Sequence, residues 1–157
     1  VNVDIIFQVI GLDPRKVLQQ AIRVTFGRHD FLVMHPFDVL RSRLANLHQL
    51  TEKQNDKGAI QLDLAIAAAR EFLREEAARF PAAQIASGRS PIQTLVSELE
   101  KLALEDAGRK VAKRWGRHVA DAIDPGLIPA GPFWARKWPT LKPLMSSAYA
   151  RRFTPPA

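Results

Sequence analysis

The side chains of this chain best suited to chemistry are cations at helical spacing. Lys110, Lys113, Arg114, Arg117 and His118 recur three, four, seven and eight residues apart, and Val111, Trp115 and Val119 form a separate stripe. On one helix spanning 109–123 this pattern sets a basic face beside an apolar one. Such a face can track the phosphates of RNA or DNA, with an affinity that falls steeply in salt. The competing reading is a solvated charged face on a packed helix. Phe133, Trp134, Arg136, Lys137 and Trp138 interleave aromatics with cations as base-stacking platforms do. Trp134, Trp138, Leu141 and Met145 nevertheless share one helical face, which is the pattern of a core or an interface.

A third group lies earlier in the chain. Ser42, Arg43 and Asn46 flank the stripe Leu40, Leu44, Leu47, so they can face a cleft while the leucines face the core. Arg43 is suited to pair with a phosphate and Asn46 to hydrogen-bond a base or sugar. The alternative is that both tie the helix to neighbouring backbone. Lys53 and Lys57 follow in a polar loop, either as phosphate contacts or as solvated lysines.

Other chemistries lack their residues. His29, His35, His48 and His118 show no metal-ligand spacing, and zero cysteines removes thiolate zinc sites, disulfides and cysteine nucleophiles together. There is no Gly-x-Gly-x-x-Gly, no Walker loop and no Gly-x-Ser-x-Gly elbow. No apolar run approaches the roughly 20 residues of a membrane span, and the absence of cysteine is compatible with a cytoplasmic setting. The net charge of +7 is unevenly spread. Through Gly108 there are 13 Lys and Arg against 14 Asp and Glu, and from Arg109 onward 10 against 2. The whole positive excess lies in the last third, which points to polyanionic partners and says nothing about fold.

The elements that must position these groups follow from periodicity and from capping residues. Val1 to Ile10 alternates as a half-buried strand. Asp13-Pro14 reads as an N-cap and first helical turn, predicting a short helix through Arg15 to about Gln20. Ile22–Phe26 and Phe31–His35 predict a hairpin around Gly27–Asp30, with one long helix through Phe26 as the competitor. Pro36 opens a helix with the stripe Phe37, Leu40, Leu44, Leu47, Leu50, and His35 before it is placed to cap backbone. After a polar connection from Thr51 to Gly58, a helix from Ala59 to Phe80 carries Leu62, Ile66, Ala69, Leu73 and Ala77 on one face, and Pro81 ends it. Ser90, Pro91 and Gln93 form a capping box opening the next helix. Gly108 is expected to kink or end that helix before a second one to about Ile123. Asp124–Pro132, with three prolines and two glycines, is a loop. A last helical stretch from Phe133 to about Arg152 is interrupted by Pro139 and Pro143.

The segment Phe31–Gly58, FLVMHPFDVLRSRLANLHQLTEKQNDKG, together with the opening VDIIFQVIGLD, resembles a nucleotidyltransferase of the DNA polymerase β superfamily, close to the abortive-infection toxin type. The resemblance implies that Asp4, on Val3-Asp4-Ile5-Ile6, matches the third of three carboxylates that hold two magnesium ions for phosphoryl transfer. It also implies a nucleotide triphosphate as substrate, an antitoxin protein as partner and a bacterial, cytoplasmic setting. The family's Gly-Ser and Asp-x-Asp motifs are not in these residues. The expectation is therefore a piece of such an enzyme, inactive alone and holding no magnesium tightly. On the bland reading Asp4 is a solvated carboxylate on a strand's polar face.

The expected fold is α+β and mainly α. Residues 1–58 form a small remnant of a nucleotidyltransferase sheet, and residues 59–157 a helical domain with a basic C-terminal third. The expected site residues are Asp4 as catalytic metal ligand, Arg43, Asn46 and Lys53 at a nucleotide, and Lys110, Lys113, Arg114 and Arg117 at nucleic acid. Asp4 is expected at the edge of a groove lined by Arg43 or Lys53. The alternative function is a non-catalytic nucleic-acid-binding or interaction module built on the basic helix 109–123.

Overall fold

The structure is a computed structural model that describes residues 9–86, 90–129 and 131–152. The expected strand over Val1–Ile10 and its Asp4 thus lie almost wholly outside the described residues. The described chain is mainly helical with one small antiparallel sheet, as the sequence predicts. Helix α1, Pro14–Gln20, starts where Asp13 accepts a hydrogen bond from the Arg15 amide at 3.0 Å. Strands β1, Ile22–Phe26, and β2, His29–Val33, then pair as a hairpin. The turn is shorter than expected, with Gly27 and Arg28 between the strands. Gly27 sits at φ +62°, the left-handed backbone that tight hairpin turns demand. Ile22 faces Val33, Val24 faces Phe31 and Phe26 faces His29, so one face of the ribbon is apolar. Thr25 and Arg23 donate to Asp30 on the other face, at 2.7 and 3.3 Å.

Helix α2, Pro36–Gln49, is capped by His35, whose Nδ1 accepts from the Phe37 amide at 3.1 Å. Its stripe of Phe37, Leu40, Leu44 and Leu47 is buried as predicted. The next helix, α3, Asp56–Ala78, opens three residues earlier than the sequence suggested. Asn55 caps it by accepting from Gly58 at 3.0 Å, after a 3-10 turn at Thr51–Lys53. Gly58 is buried there, and a Cβ on it would lie 1.9 Å from the Lys53 carbonyl oxygen, so only glycine lets the chain double back this tightly. Leu62, Ile66, Ala69, Leu73 and Ala77 all face the core. A short helix α4, Ala82–Ala86, which the sequence does not announce, follows Pro81.

Helix α5, Pro91–Leu104, begins where Ser90 accepts from the Ile92 amide at 3.3 Å. Gln93 departs from the expected capping box and donates to the Ile85 carbonyl at 2.9 Å, tying α4 to α5. The following helix, α6, covers Asp106–Trp115. Two expectations are corrected here. The break falls at Glu105, whose backbone is extended, and not at Gly108. Gly108 lies in the first turns of α6, where a Cβ would lie 2.5 and 2.7 Å from the carbonyls of Leu102 and Ala103, so it permits the fold-back of α6 on α5. The basic helix also stops at Trp115, well short of Ile123, because Gly116 takes φ +63° and caps it by donating to the Ala112 carbonyl. Arg117 and His118 are therefore off the helix.

Two 3-10 turns, Val119–Ala122 and Pro125–Leu127, lead to α7, Pro132–Leu141. A 3-10 turn at Lys142–Leu144 and α8, Ser147–Arg152, complete the described chain. Trp134, Leu141 and Met145 are buried and Trp138 is packed against them. Trp134 donates to the Ile128 carbonyl at 2.8 Å. These aromatics serve the core and do not form a stacking platform. One hydrophobic cluster runs from Phe37 on α2 to Met145. Arg70 on α3 holds the C-terminal part onto it, donating to the Asp121 carbonyl at 3.0 and 2.6 Å while its guanidinium lies 4.7 Å from the Tyr149 ring. Asp121 in turn accepts from the amide and hydroxyl of Ser146, at 2.9 and 2.7 Å. Among the described residues no helix is long and apolar enough to cross a membrane.

Candidate phosphate-binding cleft

Helices α2 and α6 pack side by side because the apolar stripe of α2 and the buried side of α6, Gly108 and Val111, share one core. Between them opens a cleft of about 440 Å³ lined by Leu47, His48, Lys110, Lys113, Arg114 and Trp115, with Val111 at its floor. Three cations and a histidine line it, and the one carboxylate close to them, Asp106, pairs with Lys110 and His48 without being a lining residue itself. Buried apolar residues set the register of α6, so its cations have no choice but the outer face.

The cations differ in what already neutralises them. The Lys110 ammonium is 2.8 Å from the Asp106 carboxylate, one turn earlier on the same helix. Its hydrogen bond holds the Asp106 carboxyl below the usual carboxylate value, so this acid stays ionised. Arg117 pairs with Asp63 of α3 at 3.0 Å and also donates to the Trp115 carbonyl. Arg114 donates to the neutral Gln54 side chain at 2.8 Å and lies 5.3 Å from the Trp115 ring centre, contacts that orient its charge without cancelling it. Lys113 and Arg109 are exposed and have no ion pair among the described residues. Uncompensated positive charge is thus concentrated on Arg109, Lys113 and Arg114.

The predicted site residues do not all meet. Lys110, Lys113 and Arg114 converge on the cleft, whereas Arg117 is turned toward α3. Arg43 and Asn46 are half-buried on α2 and Lys53 is exposed in the 3-10 turn, and none of the three lines the cleft. Arg43 forms no hydrogen bond or ion pair among the described residues, so the reading in which it ties α2 to neighbouring backbone finds no contact. Ser42 is buried. Asp4 lies outside the described residues. The cleft adds His48, which has no metal-ligand spacing in the sequence, and Trp115, which belongs to the apolar stripe. Their cue was position: His48 falls within the Phe31–Gly58 block, and Trp115 ends the basic helix.

A larger hollow of about 690 Å³ lies between α1, α2 and α5. Its lining includes Asp13, Asp38 and Glu98 against Lys16, Arg41 and Lys101, so the charges offset and leave no net field to select an ion. His35 borders it with its ring packed edge-on to Phe37 and Phe72, at centroid distances of 5.4 and 4.6 Å. Burial lowers the His35 pKa from its ordinary value, against the opposing pull of Asp38, Glu98 and Glu76. Size favours this hollow as a ligand site, but charge favours the α2–α6 cleft, and charge is what a phosphate reads. Among the described residues no group of three or more His, Asp or Glu side chains is placed to hold a metal ion, so they offer magnesium no cage of their own. Compared with family models, with curated proteins and with solved structures, the chain has no significant match.

Proposed function

We propose that this chain is the C-terminal, substrate-gripping portion of a magnesium-dependent nucleotidyltransferase, and that its α2–α6 cleft holds phosphate groups of the nucleotide or of a nucleic-acid acceptor. One observation carries the reading. The two segments that stand out in the sequence for unrelated reasons, the family-like block and the basic helix, line one cleft. Lys113 and Arg114 supply charge there that no carboxylate cancels, and an Arg with a fixed fork beside a mobile Lys is a common way to hold a phosphate. Trp115 lines the same cleft beside them.

In this reading Asp4 is a metal ligand, and Arg43, Asn46 and Lys53 act at the nucleotide. The partners are a nucleotide triphosphate with magnesium, an RNA, protein or small-molecule hydroxyl as acceptor, and an antitoxin protein, in a bacterial cytoplasm. The described residues contribute binding and orientation, and this chain alone transfers nothing. A second reading, a non-catalytic nucleic-acid-binding module, is favoured by the exposed Arg109, which does not line the cleft and can extend its positive charge along a backbone.

The experiment is fluorescence anisotropy of labelled single-stranded RNA and duplex DNA with the 157-residue chain at low salt, followed by competition with a magnesium nucleotide triphosphate. Displacement by the nucleotide at matched phosphate concentration supports the nucleotidyltransferase reading. Nucleic acid that the nucleotide does not displace supports the binding module. No binding of any phosphate ligand eliminates both.

A further inference from the structure

Asp106 occupies the place an anion would take. Its Oδ2 lies 2.8 Å from Lys110 Nζ and 3.6 Å from His48 Nε2, so one carboxylate oxygen stands between a lysine on α6 and a histidine on α2. The trio has two charge states. With the imidazole neutral, Asp106 cancels Lys110 and the three groups sum to zero. With the imidazole protonated the sum is +1, one positive charge more than Asp106 neutralises. The groups facing His48 are Asp106, Lys110, Lys113 and Arg114 of α6, with Arg109 also acting on Asp106. Gln54, after the 3-10 turn, reaches only the His48 backbone carbonyl, at 3.0 Å. Histidine is the one side chain whose ordinary charge change falls in the physiological range.

We infer that His48 and Asp106 regulate the phosphate cleft by pH. Protonation of His48 sets a second cation beside Asp106, which weakens its hold on Lys110, and the surplus positive charge becomes a further contact for a bound phosphate. Linkage requires the converse, in which a bound polyanion draws a proton onto His48. The inference rests on the reading that the cleft binds phosphate. It adds a specific consequence, tighter binding in mildly acidic solution through one histidine out of four. His48 is partly exposed and Asp106 exposed, so each can be replaced without opening the core.

The test is a salt titration of single-stranded RNA binding by the 157-residue chain and by H48Q and D106N. Between about pH 7.5 and about pH 5.5 the wild-type salt slope should steepen by about 0.7, one added phosphate contact on a single strand. H48Q should lose that increment. D106N should show the steeper slope already at the higher pH and little change on acidification, because nothing then holds Lys110 back. An increment that survives H48Q undiminished overturns the inference while leaving phosphate binding intact. Absence of RNA binding at both pH values removes the phosphate reading and this inference with it.

Discussion

Replacing Lys113 and Arg114 with glutamine is the sharpest test of which cations act. A count of basic residues on the helix gives four phosphate contacts and a salt slope that becomes shallower by roughly 3 to 4 when all four are neutralised. The structure lowers that number. Lys110 is held by Asp106 at 2.8 Å, and Arg117 is turned away to Asp63 at 3.0 Å. Two cations of the four remain for phosphate near neutral pH. The double variant should therefore flatten the slope by about 1.4 on single-stranded RNA and about 1.8 on duplex DNA, from 0.7 and 0.9 per contact. Adding K110Q and R117Q should change it little further. The fold should tolerate the double change, since both side chains are exposed and the Arg114 contacts to Gln54 and Trp115 are surface ones, each within about 1 kcal/mol. The assay is anisotropy over a series of salt concentrations, with thermal melts as the control. An unchanged slope in the double variant, or a further loss of similar size on removing Lys110 and Arg117, would refute the assignment of charge made from the ion pairs.

Three further expectations concern the fold. Leu73→Ala, at a fully buried position on α3, should cost about 2–5 kcal/mol in denaturant unfolding, and a loss under about 1 kcal/mol would mean that α3 is not central to the core. Gly58→Ala forces a Cβ to within 1.9 Å of the Lys53 carbonyl and should destabilise by about 2–3 kcal/mol; a neutral result would show that the turn into α3 does not require glycine. Burial lowers the His35 pKa below its ordinary 6.5, so the unfolded chain takes up the proton first. Its contribution to stability is full above about pH 6.5, declines as pH falls toward the folded value and changes no further below it; H35N, which can still cap α2 but does not titrate, should remove that step, and an identical pH profile in the variant would contradict it.

Helix starts marked by a cap and a proline were legible in the sequence, while the start of α3 and the stops of α5 and α6 were not. Asp13-Pro14, His35-Pro36 and Ser90-Pro91 announce three starts because an N-cap and a proline act on backbone within two residues of themselves, and all three form as read. The end of α5 has no such local cause. Nothing in Leu104-Glu105-Asp106 breaks a helix, and the break exists because α6 folds back onto the carbonyls of Leu102 and Ala103 beside Gly108. The end of α6 was hidden for a different reason. Val111, Trp115 and Val119 keep helical spacing across Gly116, so the periodic signal runs past a glycine that turns left-handed. At Gly108 the neighbours in space decide the glycine's role, whereas at Gly116 no distant atom lies within 4 Å of where a Cβ would sit, and the left-handed backbone alone ends the helix.

The same division between local and distant contacts governs the site. That Lys110, Lys113 and Arg114 share a helix face follows from spacing alone. Which of the basic residues still carries a field does not, because the partners lie far away along the chain: Asp63 is 54 residues from Arg117 and Gln54 is 60 residues from Arg114. The positive excess after Gly108 is likewise not a uniform field in the folded protein. Lys137 goes to the buried Glu100 and Arg117 to Asp63, while Lys110 shares Asp106 with His48. The acids of the first two thirds reach across and neutralise part of the last, and the remainder is sorted by packing onto the outer face of α6. A polyanion approaching this protein would therefore be steered by Arg109, Lys113 and Arg114, next to the one histidine in position to change the count.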